Sequence, residues 1–128
     1  MDDAYRIQAE EWYERGRRDL ETARLVLEQG GYTDAVAYHI QQSVEKYLKG
    51  YLVLIGKRPP KIHELDTLLN HVAEFDGSFE GFRDLCEKAS RYYLDDRYPP
   101  GPPPEYNQDE VGADLGRATE LINIIRSR

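Results

Sequence analysis

TDAVAYHIQQSVEKYLKGYLVLIG, residues 33–56, carries an unbroken helical period. Val36, Ile40, Val44, Tyr47, Leu48, Tyr51, Leu52 and Ile55 recur three and four residues apart, the spacing of one face of an α-helix. Thr33 stands where an N-cap is expected and Gly56 where the chain must stop being helical. At about 100° per residue the apolar set spans an arc of roughly 160°. His39, Gln42, Lys46 and Lys49 fill an arc of about 80° on the other side, a row about 15 Å long at 1.5 Å per residue. One face is therefore expected to pack a core. The other presents an imidazole, an amide and two ammonium groups, donors suited to phosphate or another anion. A merely solvated polar face has the same pattern, and periodicity does not choose between the two.

Working outward, four more segments carry the same period. Ala9, Tyr13, Gly16, Leu20, Ala23 and Leu27 form a first stripe, ended by Gly30-Gly31. Leu65, Leu68, Leu69 and Val72 mark a shorter helix over Glu64 to Glu74. Phe79, Phe82, Cys86, Ala89 and Tyr93 predict another, and Val111, Leu115, Ala118, Ile122 and Ile125 the last. Asp109 and Glu110 open that last helix, where its dipole favours acid. Nothing reads as a strand. The expected fold is all-α: an up-and-down antiparallel bundle of about five helices, with residues 1–128 forming one domain.

With 40% hydrophobic and 32% charged residues the composition is that of a globular protein. No apolar run approaches the ~20 residues of a membrane-spanning helix, and the acidic start MDDAYRIQAEEWYERG is unlike a signal peptide, so a cytoplasmic protein is expected. Cys86 is the single cysteine, which removes disulfides and cysteine zinc sites; on an apolar stripe it reads as core. His39, His63 and His71 have no metal-ligand spacing with the carboxylates, so neither metal nor other cofactor is expected. The net charge of −7 argues against indiscriminate nucleic-acid binding. Its distribution is uneven. From Gln41 to His63 five basic residues (Lys46, Lys49, Lys57, Arg58, Lys61) face one acid, Glu45, which makes +4 locally and leaves −11 elsewhere.

Two proline-marked stretches interrupt the helices. GKRPPKIHELDTLL, residues 56–69, places His63 near a helix start, where it can orient a ligand or cap its own helix. YYLDDRYPPGPPPEY, residues 92–106, holds five of the seven prolines directly after Arg97 and Tyr98. The prolines either form a stiff connector or hold that pair in a fixed pose. For Arg97 the plain alternative is an ion pair with Asp95 or Asp96, and for Tyr98 a packed end of the bundle.

The succession of Trp12 to Leu20, then AYHIQQSVEKYLKGYLVLIGKRPPKIHEL, then RYYLDDRYP resembles the HEPN domain, from about residue 9 to the end. The string Q-x-x-E-K-x-x-K (Gln42, Glu45, Lys46, Lys49), the P-x-x-H of Pro60 to His63 and the R-Y-P of Arg97 to Pro99 occur in family order. The resemblance implies a helical bundle of a small prokaryotic protein, proposed in the family to bind nucleotides. It also implies frequent homodimers and company with a separately encoded minimal nucleotidyltransferase. In such a fold the proline segment returns toward the helix of residues 33–56. His39, Gln42, Lys46, Lys49, His63, Arg97 and Tyr98 then become one ligand site, with Arg97 a planar fork for phosphate and Tyr98 a ring on which a base stacks.

Many family members are metal-independent ribonucleases marked by R-x(4-6)-H, and Arg58 to His63 satisfies the bare spacing. Pro59 stands where a polar residue is usual, and Leu65 where the toxin-type motif has tyrosine. The match also falls in a turn. There is no phosphate loop of the G-x-x-x-x-G-K-[ST] type, no G-x-S-x-G and no H-E-x-x-H. Three readings follow. The first is a nucleotide- or anion-binding module with no catalytic residues. The second is a dimeric endoribonuclease toxin acting on RNA through Arg58 and His63. The third is an interaction module without a ligand.

Overall fold

The computed structural model describes residues 3–95 and 99–128, the side chains of 93–95 excepted. Among the described residues there are five α-helices, one 3-10 segment and no strand. The helices are α1 (Asp3–Glu28), α2 (Thr33–Leu54), α3 (Leu65–Phe75), α4 (Arg83–Asp95) and α5 (Gln108–Ser127), with the 3-10 segment at Gly77–Phe82. The all-α reading holds.

The glycine stops work as the sequence suggests. Gly30 takes φ 71°, its N–H donates to Leu27 O (3.2 Å), and the Gly31 N–H donates to Val26 O (2.8 Å). Gly56 repeats the arrangement at φ 83°, with Gly56 N–H to Val53 O (2.9 Å) and Lys57 N–H to Leu52 O (2.8 Å). A left-handed residue lets the last carbonyls of each helix find these donors, and only glycine adopts it without strain.

Two boundaries differ from the sequence reading. Thr33 is the first helical residue of α2, not its N-cap; Tyr32 holds that position without a side-chain capping bond. The Thr33 hydroxyl instead accepts the Tyr106 N–H at 2.8 Å, drawing the end of the proline segment to the start of α2. The stripe beginning at Phe79 is split as well. Phe79 and Phe82 are buried from the 3-10 segment, and α4 begins only at Arg83. Gly77 and Gly81 weaken a regular helix there, and the Asp76 carboxylate accepts the Ser78 N–H at 3.0 Å, favouring a turn.

Paired residues give the topology. Across α1 and α2, Asp19 meets His39, Gly16 faces Tyr47, Tyr13 faces Gly50 and Tyr5 faces Gly56, so the two helices run antiparallel. Arg126 binds Glu10 while Leu27 lies beside Gly112, which sets α5 antiparallel to α1. Arg117 stacks on Phe82 while Tyr92 reaches Asp114, which sets α4 antiparallel to α5. The longer helices α1, α2, α4 and α5 thus alternate in direction, and α3 is the short piece between α2 and α4.

α2 packs against all four other helices, and 15 of its 22 residues are buried. A helix so enclosed has no clean polar side. Lys49, expected on the solvent-facing stripe, is 6% exposed, and Glu45 one turn before it is 5% exposed. The close approach of α1 depends on two glycines. A Cβ on Gly16 would lie 2.6 Å from the Tyr47 ring, and one on Gly50 would lie 2.5 Å from the Tyr13 ring. In the space so left the two tyrosines stack, centroids 5.2 Å apart and 17° from parallel.

Candidate functional site

The polar residues of α2 form a seam facing α1 and the α2–α3 connection. At its N-terminal part His39 Nδ1 lies 2.9 Å from Asp19 Oδ1, and Lys46 Nζ binds Asp19 Oδ2. Burial of Asp19 pushes its carboxyl up, but hydrogen bonds from His39 and Lys46 and their charges outweigh this and hold it below the usual carboxylate range. His39 and Lys46 keep 29% and 23% of their side chains exposed, against 13% for Asp19. Solvent therefore reaches the two donors more readily than their acceptor.

Deeper along the seam sits Glu45. Its Oε1 accepts from Gln41 Nε2 (3.0 Å), its Oε2 accepts from Lys49 Nζ (3.1 Å), and both oxygens lie 3.1–3.2 Å from His63 Nδ1. Gln41 also donates to His63 O (3.0 Å), and Gln42 Nε2 donates to Gln41 Oε1 (2.7 Å), which adds Gln42 to this cluster. Lys49 Nζ lies 5.7 Å from the Trp12 ring centroid, a cation over an aromatic face. The carboxylate partner assigns the neutral-ring proton of His63 to Nδ1 and turns Nε2 away from Glu45. His63 itself is 48% exposed.

His39 and Lys46 thus meet at Asp19, and Gln42, Lys49 and His63 gather in a second cluster around Gln41 and Glu45. Arg97 and Tyr98 lie outside the described residues. The expected electropositive row is matched by acid: Asp19 and Glu45 oppose Lys46 and Lys49, so the seam is neutral when both imidazoles are neutral. Sequence reasoning missed Asp19, because nothing local ties it to a residue 27 positions on. Glu45 was within reach, since Gln41, Glu45 and Lys49 are spaced i, i+4.

Arg58 and His63, the alternative catalytic pair, are both exposed in the connection before α3. Arg58 lines a cleft of about 260 Å³ with Tyr5, Gln8, Val53, Gly56, Lys57 and Pro59, and His63 is not among its described lining residues. Cys86 is fully buried, as read, and burial pushes its thiol up to about 12. Among the described residues no three His, Cys, Asp or Glu side chains converge as metal ligands, and no helix is long and apolar enough to cross a membrane.

The profile of the HEPN domain matches residues 9–128. Among solved structures, that of TT1696 from Thermus thermophilus is similar, with a TM-score of 0.79 and 25% identity over 94% of this chain and 97% of that one. ST0689, described as an archaeal HEPN homologue, shares the fold at a TM-score of 0.76 and 23% identity, over 94% and 96% of the two chains. No curated protein matches the chain.

Proposed function

Because the chain belongs to the HEPN domain family, we propose that it is a nucleotide- or anion-binding helical module, working as a homodimer beside a separately encoded minimal nucleotidyltransferase. The observation that carries this reading is the partly exposed pair His39 and Lys46 on Asp19. An ammonium group has three N–H donors, and the bond to Asp19 uses one. A phosphate can therefore sit beside Asp19 and share its donors without displacing it. Gln42 adds an amide one turn from Lys46.

The test is thermal unfolding with and without nucleotides, on the wild type and on Lys46→Gln and His39→Gln. A ligand at 100 times its dissociation constant adds about 2.7 kcal/mol, a rise of several degrees for a domain of this size. A rise in the wild type that shrinks in both variants supports the seam as the site. Unchanged melting for every nucleotide removes the reading.

A second reading, a metal-independent endoribonuclease, draws support from the Glu45–His63 contact. A carboxylate on Nδ1 is how an imidazole is oriented to act as a base through Nε2. It requires RNA cleavage that vanishes in His63→Ala. Pro59 and Leu65, where the nuclease motif has a polar residue and a tyrosine, weigh against it. The third reading, an interaction module without a ligand, predicts no nucleotide shift and no cleavage.

A further inference from the structure

At the N-terminal end of α2 the proline segment and the α1–α2 turn enclose a groove of about 640 Å³, lined by Tyr32, Asp34, Pro102, Pro103, Pro104 and Glu105. Tyr32 is 81% exposed, more than any other large apolar or aromatic side chain among the described residues. The wall opposite it is held in place. Tyr106 donates its N–H to Thr33, its ring packs edge-on against Tyr92 at 4.8 Å, and the next residue, Asn107, caps α5 by accepting from the Asp109 and Glu110 N–H groups. Prolines have little backbone freedom left to lose, so the groove is formed before anything enters it.

Among its described lining residues the charge is one-sided. Among the described residues Asp34 and Glu105 make no side-chain hydrogen bond or ion pair, whereas Asp19, Glu45 and Asp114 are all paired. Lys88 of α4 is taken up by Glu110 (2.9 Å) and Asp114 (3.1 Å) of α5. The positive ends of α2 and α5 oppose these acids with about half a charge each, already met by Asp34 in one first turn and by Asp109 and Glu110 in the other. An open tyrosine ring, two unpaired carboxylates and an apolar proline wall match a guanidinium with its methylene stem. Such a head can stack on Tyr32 beside these acids, with its stem along the prolines. Asp34 and His39 point about 140° apart around α2, so this surface is separate from the seam facing α1.

We propose that the groove docks a partner protein through an arginine flanked by apolar residues in an extended segment. The probe is the peptide acetyl-Pro-Leu-Arg-Leu-Pro-amide, titrated to millimolar concentration into the ¹⁵N-labelled chain, beside the same peptide with citrulline for arginine. The expected result is amide shifts confined to residues 33–36 and 105–109, absent with citrulline. Tyr32→Ala and Asp34→Asn each weaken binding about two- to five-fold, the range of an exposed cation–π or ion pair. Tyr32 is exposed, whereas Asp34 is half-buried in the first turn of α2, so Asp34→Asn melts slightly lower and both variants are titrated well below their melting temperatures, where they report on binding. No shift at millimolar peptide, equal shifts with citrulline, or shifts on another surface overturns the proposal. So does a change in the same amides with protein concentration alone, which would give the groove to a second copy, whose basic stretch at residues 57–61 carries similar chemistry.

Discussion

His63 Nδ1 lies 3.1 Å from Glu45 Oε1 and 3.2 Å from Oε2, and the same carboxylate receives Gln41 from one turn before and Lys49 from one turn after. A residue outside the helices is thereby tied to the enclosed face of α2. The contact has two consequences. It fixes the path of the α2–α3 connection, and it leaves one buried acid satisfied by three donors, so that removing any one partner exposes the others to an incomplete network.

Glu45→Ala strands Lys49 as an unpaired buried cation and is expected to cost about 3–5 kcal/mol, while Glu45→Ala combined with Lys49→Met recovers much of the loss. Urea unfolding of the two single variants and the double variant measures this as a coupling energy. Additive losses would show that the pair does not interact in the folded state.

Gly50→Ala gains about 1 kcal/mol of helix propensity but drives a methyl into the Tyr13 ring, 2.5 Å from Cε1 and 3.0 Å from the Trp12 Cβ. Overpacking at about 1–3 kcal/mol outweighs the gain, and the net change in a denaturant titration is destabilising. Tyr13→Phe has the opposite expectation. The Tyr13 hydroxyl is buried without a hydrogen-bond partner, so its loss leaves stability unchanged or raised.

Asp19 titrates below its ordinary value of 3.8 when folded. A depressed carboxylate adds stability that is complete above pH 3.8 and is lost as the pH falls through the folded value. Asp19→Asn is therefore less stable than wild type near neutrality, and the difference narrows on acidification below that pH. Midpoints of urea unfolding across pH 2 to 7 for both chains test it, and a gap that widens in acid contradicts the assignment.

With its thiol raised to about 12 by burial, Cys86 is a packing residue shielded from reagents. Iodoacetamide at pH 8 should label it only as fast as the protein opens, and at the rate of a free thiol in denaturant. Fast labelling of the folded chain would contradict the burial.

The helical stripes were legible because the period is local. Ala9, Tyr13, Leu20 and Ala23 of α1, the four leucine and valine positions of α3 and the five of α5 are all buried where spacing alone put them. The misreadings have different causes. Thr33 looked like a cap until Tyr106, 73 residues away, claimed its hydroxyl. The helix expected from Phe79 broke because a turn at Asp76 and two glycines competed with the apolar period. Lys49 counted as solvent-facing because the wheel of a single helix says nothing of how many neighbours surround it.

Composition and period by themselves determined that this chain forms an all-α bundle, where its helices end at Gly30 and Gly56, and that Cys86 is core. Only the tertiary structure decided the charge of the seam. Asp19 reaches Lys46 across 27 residues, and His63 reaches Glu45 across 18. Backbone hydrogen bonding and apolar spacing act within a few residues and are written in the sequence as such. Coulombic pairing depends on distance in space, and folding alone brings these partners within 4 Å of one another.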